Sequence, residues 1–343
     1  QAGRGYMMLK RHISADEQER LRALPFRFFE YIRDSRREYP NRATGSHVVG
    51  SVDKYNAGNS GVEQKLNGEL EGKSGKLRAL TDSLLGRYYS WVEKQSEPGV
   101  NLQLTVQHVI QHDVEKFLAE GVAASGAQHG SVVVMDPRNG EILALANYPT
   151  FDPTVEIPDN PRAKAAMMEN RRNIAVSAPC EPGSVMKMIT VAMALDSGKY
   201  TPDTPIFCEN GSFPRPKRRP IRDVHGYGSL PVSGVLIKSS NIGVAKISLN
   251  LGPRMLWDYL KKFGMGDKTG IELPGESRGM LRNQECKGPG DRWCWTPISH
   301  EYIAFGHEIG ATAIQLARAT SVIANGGLLI DPHIVMRKER RRD

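Results

Sequence analysis

The chain has 343 residues, 39% of them hydrophobic, enough for two domains with at least one sizeable core. Its 46 Lys and Arg against 38 Asp and Glu give a formal charge of +8, which favours anionic partners such as nucleic acid, a membrane surface or an acidic polymer. The basic residues form no dominant tract, no finger, zipper or RRM motif is visible, and no run approaches the roughly 18–20 apolar residues of a spanning helix, so charge alone selects no partner.

In chain order, the opening QAGRGYMMLKRH lacks an initiator Met and the apolar core of a signal peptide, and reads as a cut through a longer protein. Residues 14–38 are charged and helix-prone, with Pro25 interrupting any single helix. The Gly/Asn-rich stretch 45–76 reads as short strands, turns and one amphipathic segment, and KQSEPGVN, around 95–101, as a connector. Apolar residues at helical spacing over 106–123 predict a helix opening a second domain. In HGSVVVMDPRNGEILALANYP, two β-rich runs flank the turn string DPRNG and predict a hairpin over 129–147. A Pro/Asn-rich loop (149–162) and a helical window (163–175) follow. Strands first and helices after them point to an α+β fold.

The next segment, PCEPGSVMKMITVAMALDSGKY, carries a Pro-Gly turn, then Ser184, then helix formers to Leu195. Ser184 is placed at or near a helix N-terminus, with Lys187 three residues on along the same face. A serine hydroxyl is a weak nucleophile until a base takes its proton, and a buried lysine of depressed pKa can do so. Backbone N–H groups at the helix start can stabilise a reacting oxyanion. An isolated SxxK is more often a capping serine and a surface lysine. Downstream, Ser239, Ser240 and Asn241 precede another apolar helical run; such a loop can relay protons and hydrogen-bond a substrate amide.

With these motifs the sequence resembles the transpeptidase domain of class B penicillin-binding proteins, a superfamily marked by SxxK, S-x-N and K-T-G. GSVVVMDPRNGEILALANYPTFDP resembles the opening hairpin, EPGSVMK the nucleophile segment, KSSNIG the SxN motif, and FGMGDKTGIELPGE, GHEIGATAIQLARATSVIANGG and DPHIV the later landmarks. SHVVGSVD and GVEQKLNGELEGKSG resemble the end of the N-terminal pedestal, or dimerisation, domain. Cys180 and Met188 stand where the family usually has an aromatic and a proline. The resemblance implies an α+β, serine β-lactamase-like domain with helices packed on an antiparallel sheet. It divides the chain into 1–95, the end of the pedestal, and 96–343, the transpeptidase domain. It also implies that Ser184 attacks the D-Ala–D-Ala carbonyl of a peptidoglycan stem peptide, that Lys187 activates it, that Ser239 relays a proton and that Asn241 orients substrate. β-Lactams would trap Ser184, and no metal or organic cofactor is needed. The expected partners are stem peptides, β-lactams and membrane proteins of cell-wall synthesis such as a glycosyltransferase, with no nucleic acid. The expected location is the bacterial inner membrane with the catalytic domain periplasmic. A β-lactamase or β-lactam sensor, and an inactive cell-wall scaffold, are the alternatives.

Lys268-Thr269-Gly270 fits K-T-G as a string, but it lies in a turn-rich setting with Pro274 and Gly275 close behind and precedes the IANGG helix; we read it as non-catalytic. After Gly327 there is no room for the rest of a catalytic sheet, so the 129–147 hairpin is expected without its sheet partners, in a protein that continues past Asp343 or in a degenerate paralogue. The pairs His300-Glu301 and His307-Glu308 lack the HExxH spacing of a zinc site. PRPKRRP (214–220) reads as a solvated loop, with contact to anionic lipid or glycan as the alternative. A Ser184/His225/Asp223 triad is rejected because no GxSxG elbow surrounds Ser184. Of the four cysteines, Cys286 and Cys294 could close a short loop, and free thiols are equally compatible.

Overall fold

A computed structural model describes residues 7–25, 29, 31–32, 34–81, 87–155, 157–158, 160–284 and 294–340. Helix α1 (Ala15–Arg22) starts at a capping box, in which Ser14 accepts from the Glu17 N–H and Glu17 accepts from the Ser14 N–H. It ends ahead of Pro25, whose ring cannot continue a helix. The Gly/Asn-rich stretch breaks into short pieces: α2 (Ser46–Val49), β1 (Ser51–Val52), β2 (Gly58–Ser60), α3 (Gly61–Lys65) and α4 (Asn67–Leu70). Val48 and Val62 from these pieces bury against Ile142, Leu145, Ile271 and Ile334, so early and late residues share one core. A second hairpin, β3 (Lys76–Thr81) with β4 (Arg87–Lys94), was not legible in the sequence.

The connector near 95–101 runs into β5 (Val100–Leu104), and α5 (His108–Ser125) follows as the helical spacing predicts. The expected hairpin is β6 (Gly130–Met135) with β7 (Ile142–Tyr148), antiparallel from Gly130↔Tyr148 to Met135↔Ile142. Among the described residues these two strands pair only with each other. Helix α5 packs along β7, where the Gln111 amide accepts from the Leu145 N–H (2.9 Å) and donates to the Leu145 carbonyl (2.9 Å). One buried side chain thereby satisfies backbone groups that a neighbouring strand would otherwise pair.

The window 163–175 resolves into α6 (Pro161–Asn170), capped by Asn160, and α7 (Ile174–Ser177). Helix α8 (Lys187–Asp196) leads to β8 (Pro205–Phe207), which pairs with a later strand, β11 (Ser229–Pro231). Residues 214–220 are not a loop: they form the turn and part of the strands of an antiparallel hairpin, β9 (Ser212–Arg215) and β10 (Arg218–Arg222). Lys217 takes a left-handed φ of 57° at the turn, and Phe213 pairs with Ile221 on the side that meets the core. The prolines and basic residues between them hide that alternation in the sequence.

Helices α9 (Val232–Ile237), α10 (Asn241–Leu251), α11 (Pro253–Lys262) and α12 (Ser299–Ala304) complete the helical layer, with α10 packed against α8, α11 and α12. Ile242, Val244, Ile247 and Leu251 of α10 are buried with Ile189, Met193, Leu256 and Ile303 in the main core. Helix α13 (Ala313–Ala324) covers β6, and the chain returns as β12 (Val335–Arg340), antiparallel to β5. Residues after Gly327 thus close on β5, more than 230 positions upstream, and meet the start of β7, where the Ile142 N–H donates to the His333 carbonyl (3.0 Å) and Ile334 joins the core with Ile142 and Leu145. Cys180 and Cys208 are free thiols and Cys294 is disulfide-bonded; Cys286 lies outside the described residues.

Candidate active site

Gly183–Met186 forms one 3₁₀ turn that runs directly into α8 at Lys187. A 3₁₀ turn eclipses side chains three residues apart, which brings Ser184 and Lys187 to one side. Ser184 is exposed, whereas Lys187 is only 1% exposed. Ser239 sits between α9 and α10 with a left-handed φ of 55°. That conformation, uncommon for a residue with a side chain, presents both its carbonyl and its hydroxyl to Lys187. Lys187 Nζ donates to Ser239 O (2.5 Å) and Oγ (2.9 Å), and Ser239 Oγ donates to Ser184 Oγ (3.0 Å). Lys187 makes no direct hydrogen bond to Ser184; the hydrogen-bonded path between the two runs through Ser239. Burial pushes Lys187 down to about 8, against a smaller upward pull from the negative charge of Asp223.

Asp223 joins no triad, and its part in the site carries no signal in the sequence. Its carboxylate accepts from Ser240 Oγ (2.6 Å) and from the Asn241 and Ile242 N–H groups (2.6 and 3.1 Å). It is the anion at the start of α10 and holds Ser240, Asn241 and Ile242, the residues that follow Ser239, in place. Ser240 is the N-cap, accepting from the Gly243 N–H. Asn241 Nδ2 donates to the Arg222 carbonyl (2.9 Å), and among the described residues its Oδ1 accepts no hydrogen bond. His225 stacks edge-on with Tyr227 and joins neither Asp223 nor Ser184.

The loop ahead of Ser184 is held to the loop after α12. Cys180 and Ala311 exchange backbone hydrogen bonds (3.0 and 2.9 Å), and the Gly183 N–H donates to the Gly306 carbonyl (3.1 Å). Glu181 accepts from the Glu308 N–H (2.9 Å) and bonds His307 Nδ1 (2.8 Å), contacts that hold its carboxyl below the usual range. A Cβ on Gly306, at φ 89°, would stand 2.0 Å from the Gly183 carbonyl oxygen. Glu301 forms a buried ion pair with Arg215 of β9, and Glu308 bonds Ser299 and Arg282. Among the described residues no group of three or more His, Cys, Asp or Glu is placed to hold a metal ion.

Lys268-Thr269-Gly270 lies in no strand. The Thr269 N–H and hydroxyl both donate to Glu276 (2.6 Å each) and the Gly270 N–H donates to the same carboxylate (3.2 Å), so the triplet is a buttressed turn.

A family model described as the penicillin binding protein transpeptidase domain matches residues 130–343, and one described as the penicillin-binding protein dimerisation domain matches residues 4–104. The chain is similar to "Probable peptidoglycan D,D-transpeptidase PenA" of Neisseria meningitidis, 33% identical over 333 residues, 96% of this chain and 54% of that protein. It is 29% identical over 325 residues to peptidoglycan D,D-transpeptidase FtsI of Escherichia coli, covering 94% of this chain and 52% of FtsI. The chain thus spans about half the length of these relatives. The fold is similar to apo penicillin-binding protein 3 of Mycobacterium tuberculosis, with a TM-score of 0.74 and 30% identity over 89% of this chain and 64% of that one. The same protein complexed with ampicillin also matches with a TM-score of 0.74.

Proposed function

The chain belongs to the class B penicillin-binding proteins, and from that premise we propose that it carries the acylating centre of a peptidoglycan D,D-transpeptidase. The observation that supports this most directly is the hydrogen-bonded chain from buried Lys187 through Ser239 to exposed Ser184. In its neutral form Lys187 accepts a proton from Ser239 as Ser239 accepts one from Ser184. Ser184 Oγ then bonds the carbonyl carbon between the two terminal D-alanines of a stem peptide. The C–N bond breaks, the departing D-alanine amine takes a proton back along the same relay, and an ester links Ser184 to the stem. An amine of a neighbouring stem attacks that ester, forms the cross-link and returns the proton to Ser184. Asn241 Oδ1 accepts the N–H of the bound peptide. β-Lactams acylate Ser184 in the same way. The chemistry belongs outside the cytoplasmic membrane, where peptidoglycan lies, in company with a glycosyltransferase that supplies glycan strands.

The test is intact mass after incubation with benzylpenicillin, for the wild type and for Ser184→Ala. One penicilloyl adduct on the wild type alone supports the reading, and no adduct on either overturns it. Rapid turnover of a chromogenic cephalosporin would move the assignment to a β-lactamase.

A further inference from the structure

A cavity of about 440 Å³ shares no lining residue with the Ser184 centre. Its walls come from both matched portions of the chain: His47 and residues 59–61 and 64 on one side, residues 168, 171–173 and 177 with Pro274 and Gly275 on the other. Two of the lining residues are arginines and none is a carboxylate.

Arg171 is only 9% exposed. Its Nη1 donates to Ser51 Oγ (3.2 Å) and its Nη2 to the Val155 carbonyl (3.4 Å), its guanidinium lies 5.0 Å from the Phe151 ring centre, and its Nε has no partner. Among the described residues no carboxylate bonds it. Glu63, buried on α3, is taken by Arg37 instead. Buried guanidinium groups are ordinarily paired, because removing a charge from water is costly without a counter-charge. That cost shows as a lowering of the Arg171 pKa by burial. His47 supplies no charge of either sign: it bonds the Asn170 carbonyl, and burial holds it neutral, at about 4. Arg172 is exposed at the cavity, within 3.3 Å of Glu169 and 3.4 Å of Ser177 Oγ, and adds a second cation.

We propose that this cavity is a second ligand site, which binds the oxyanion group, carboxylate or phosphate, of a small molecule, with Arg171 as the buried counter-charge and Arg172 as the outer one. A guanidinium presents paired N–H groups that match either oxyanion. The volume is that of a small-molecule site rather than of a single ion. Because the walls come from both portions of the chain, an occupant stabilises their junction by binding the folded form alone.

The test is thermal unfolding of the intact chain in inorganic phosphate or in acetate, with sodium chloride holding ionic strength constant. The expected result is a saturable rise in Tm of about 2 °C at ten times Kd for at least one of the two, which also tells phosphate from carboxylate. Arg171→Met should lose that rise. Gln64→Glu places a tethered carboxylate at the cavity, and should raise Tm without added anion and remove the response to it. The proposal is overturned if neither anion acts beyond chloride, or if Arg171→Met responds as the wild type does. Should Arg171→Met fail to fold, an unchanged response in Gln64→Glu overturns it instead.

Discussion

Replacing Lys187 by methionine separates what the buried ammonium does for acylation from what it costs the fold. An ordinary lysine titrates at 10.5, and Lys187 is pushed down to about 8, burial being the main cause. Below pH 8 the native and unfolded chains both carry the proton, and the native one bears the full desolvation cost. Between about 8 and 10.5 the unfolded chain holds a proton that the native chain has released, so stability rises with pH across that window. Two and a half pH units at about 1.4 kcal/mol each amount to roughly 3 kcal/mol. Methionine fills a similar volume without charge. It forfeits the bonds to Ser239, about 1 kcal/mol in all because exposed Ser239 can bond water instead. Lys187→Met should therefore be about 2 kcal/mol more stable than the wild type at pH 7, and no more stable once the pH passes 10.5. Its benzylpenicillin acylation rate should fall by about 10²–10⁴. Urea unfolding of both proteins at three pH values reads the first quantity and adduct formation reads the second. A variant less stable than the wild type at neutral pH, or a stability difference that ignores pH, would refute the reasoning.

The wild-type acylation rate should climb about tenfold per pH unit below about 8 and level off above it, as neutral Lys187 accumulates; a flat profile would remove Lys187 as the base. Asp223→Asn deletes the charge that raises the Lys187 pKa and weakens the acceptor that holds the start of α10. The inflection of that profile should move to lower pH and urea stability should fall by about 2 kcal/mol, and an unmoved inflection counts against the coupling. Gly306→Ala forces a Cβ against the Gly183 carbonyl and a left-handed φ on alanine. It should cost about 2 kcal/mol or more and slow acylation, measured by thermal unfolding and intact mass; wild-type acylation would show that the Ser184 turn does not depend on that contact.

Much of the site was legible from short-range signals. The Pro-Gly turn before Ser184, the three-residue step to Lys187 and the apolar run beyond them all specify local backbone, and the structure places a 3₁₀ turn and α8 there. The DPRNG turn specified the β6–β7 hairpin for the same reason. Lys268-Thr269-Gly270 could be set aside because its glycines and proline are incompatible with a strand, and the structure adds that Glu276 occupies its polar groups.

Other features were decided only by packing between distant segments. β5 meets β12 across more than 230 residues, and neither strand carries a mark of its partner. The β9–β10 hairpin rests on one apolar pair, Phe213 with Ile221, in a string whose prolines and charges read as a loop. The route from Lys187 to Ser184 through Ser239 depends on a left-handed backbone at Ser239, which serine does not advertise. Asp223 and Arg171 show the same limit for charge: one carboxylate organises the start of α10, and one guanidinium is buried without a carboxylate to meet it. The sequence by itself determined the family and several of the local elements, the turn at Ser184, α8 and the β6–β7 hairpin among them, because turn chemistry and periodicity act over a few residues. Burial and hydrogen-bond direction, which set the Lys187 pKa and route its contact with Ser184 through Ser239, exist only once distant segments close around them.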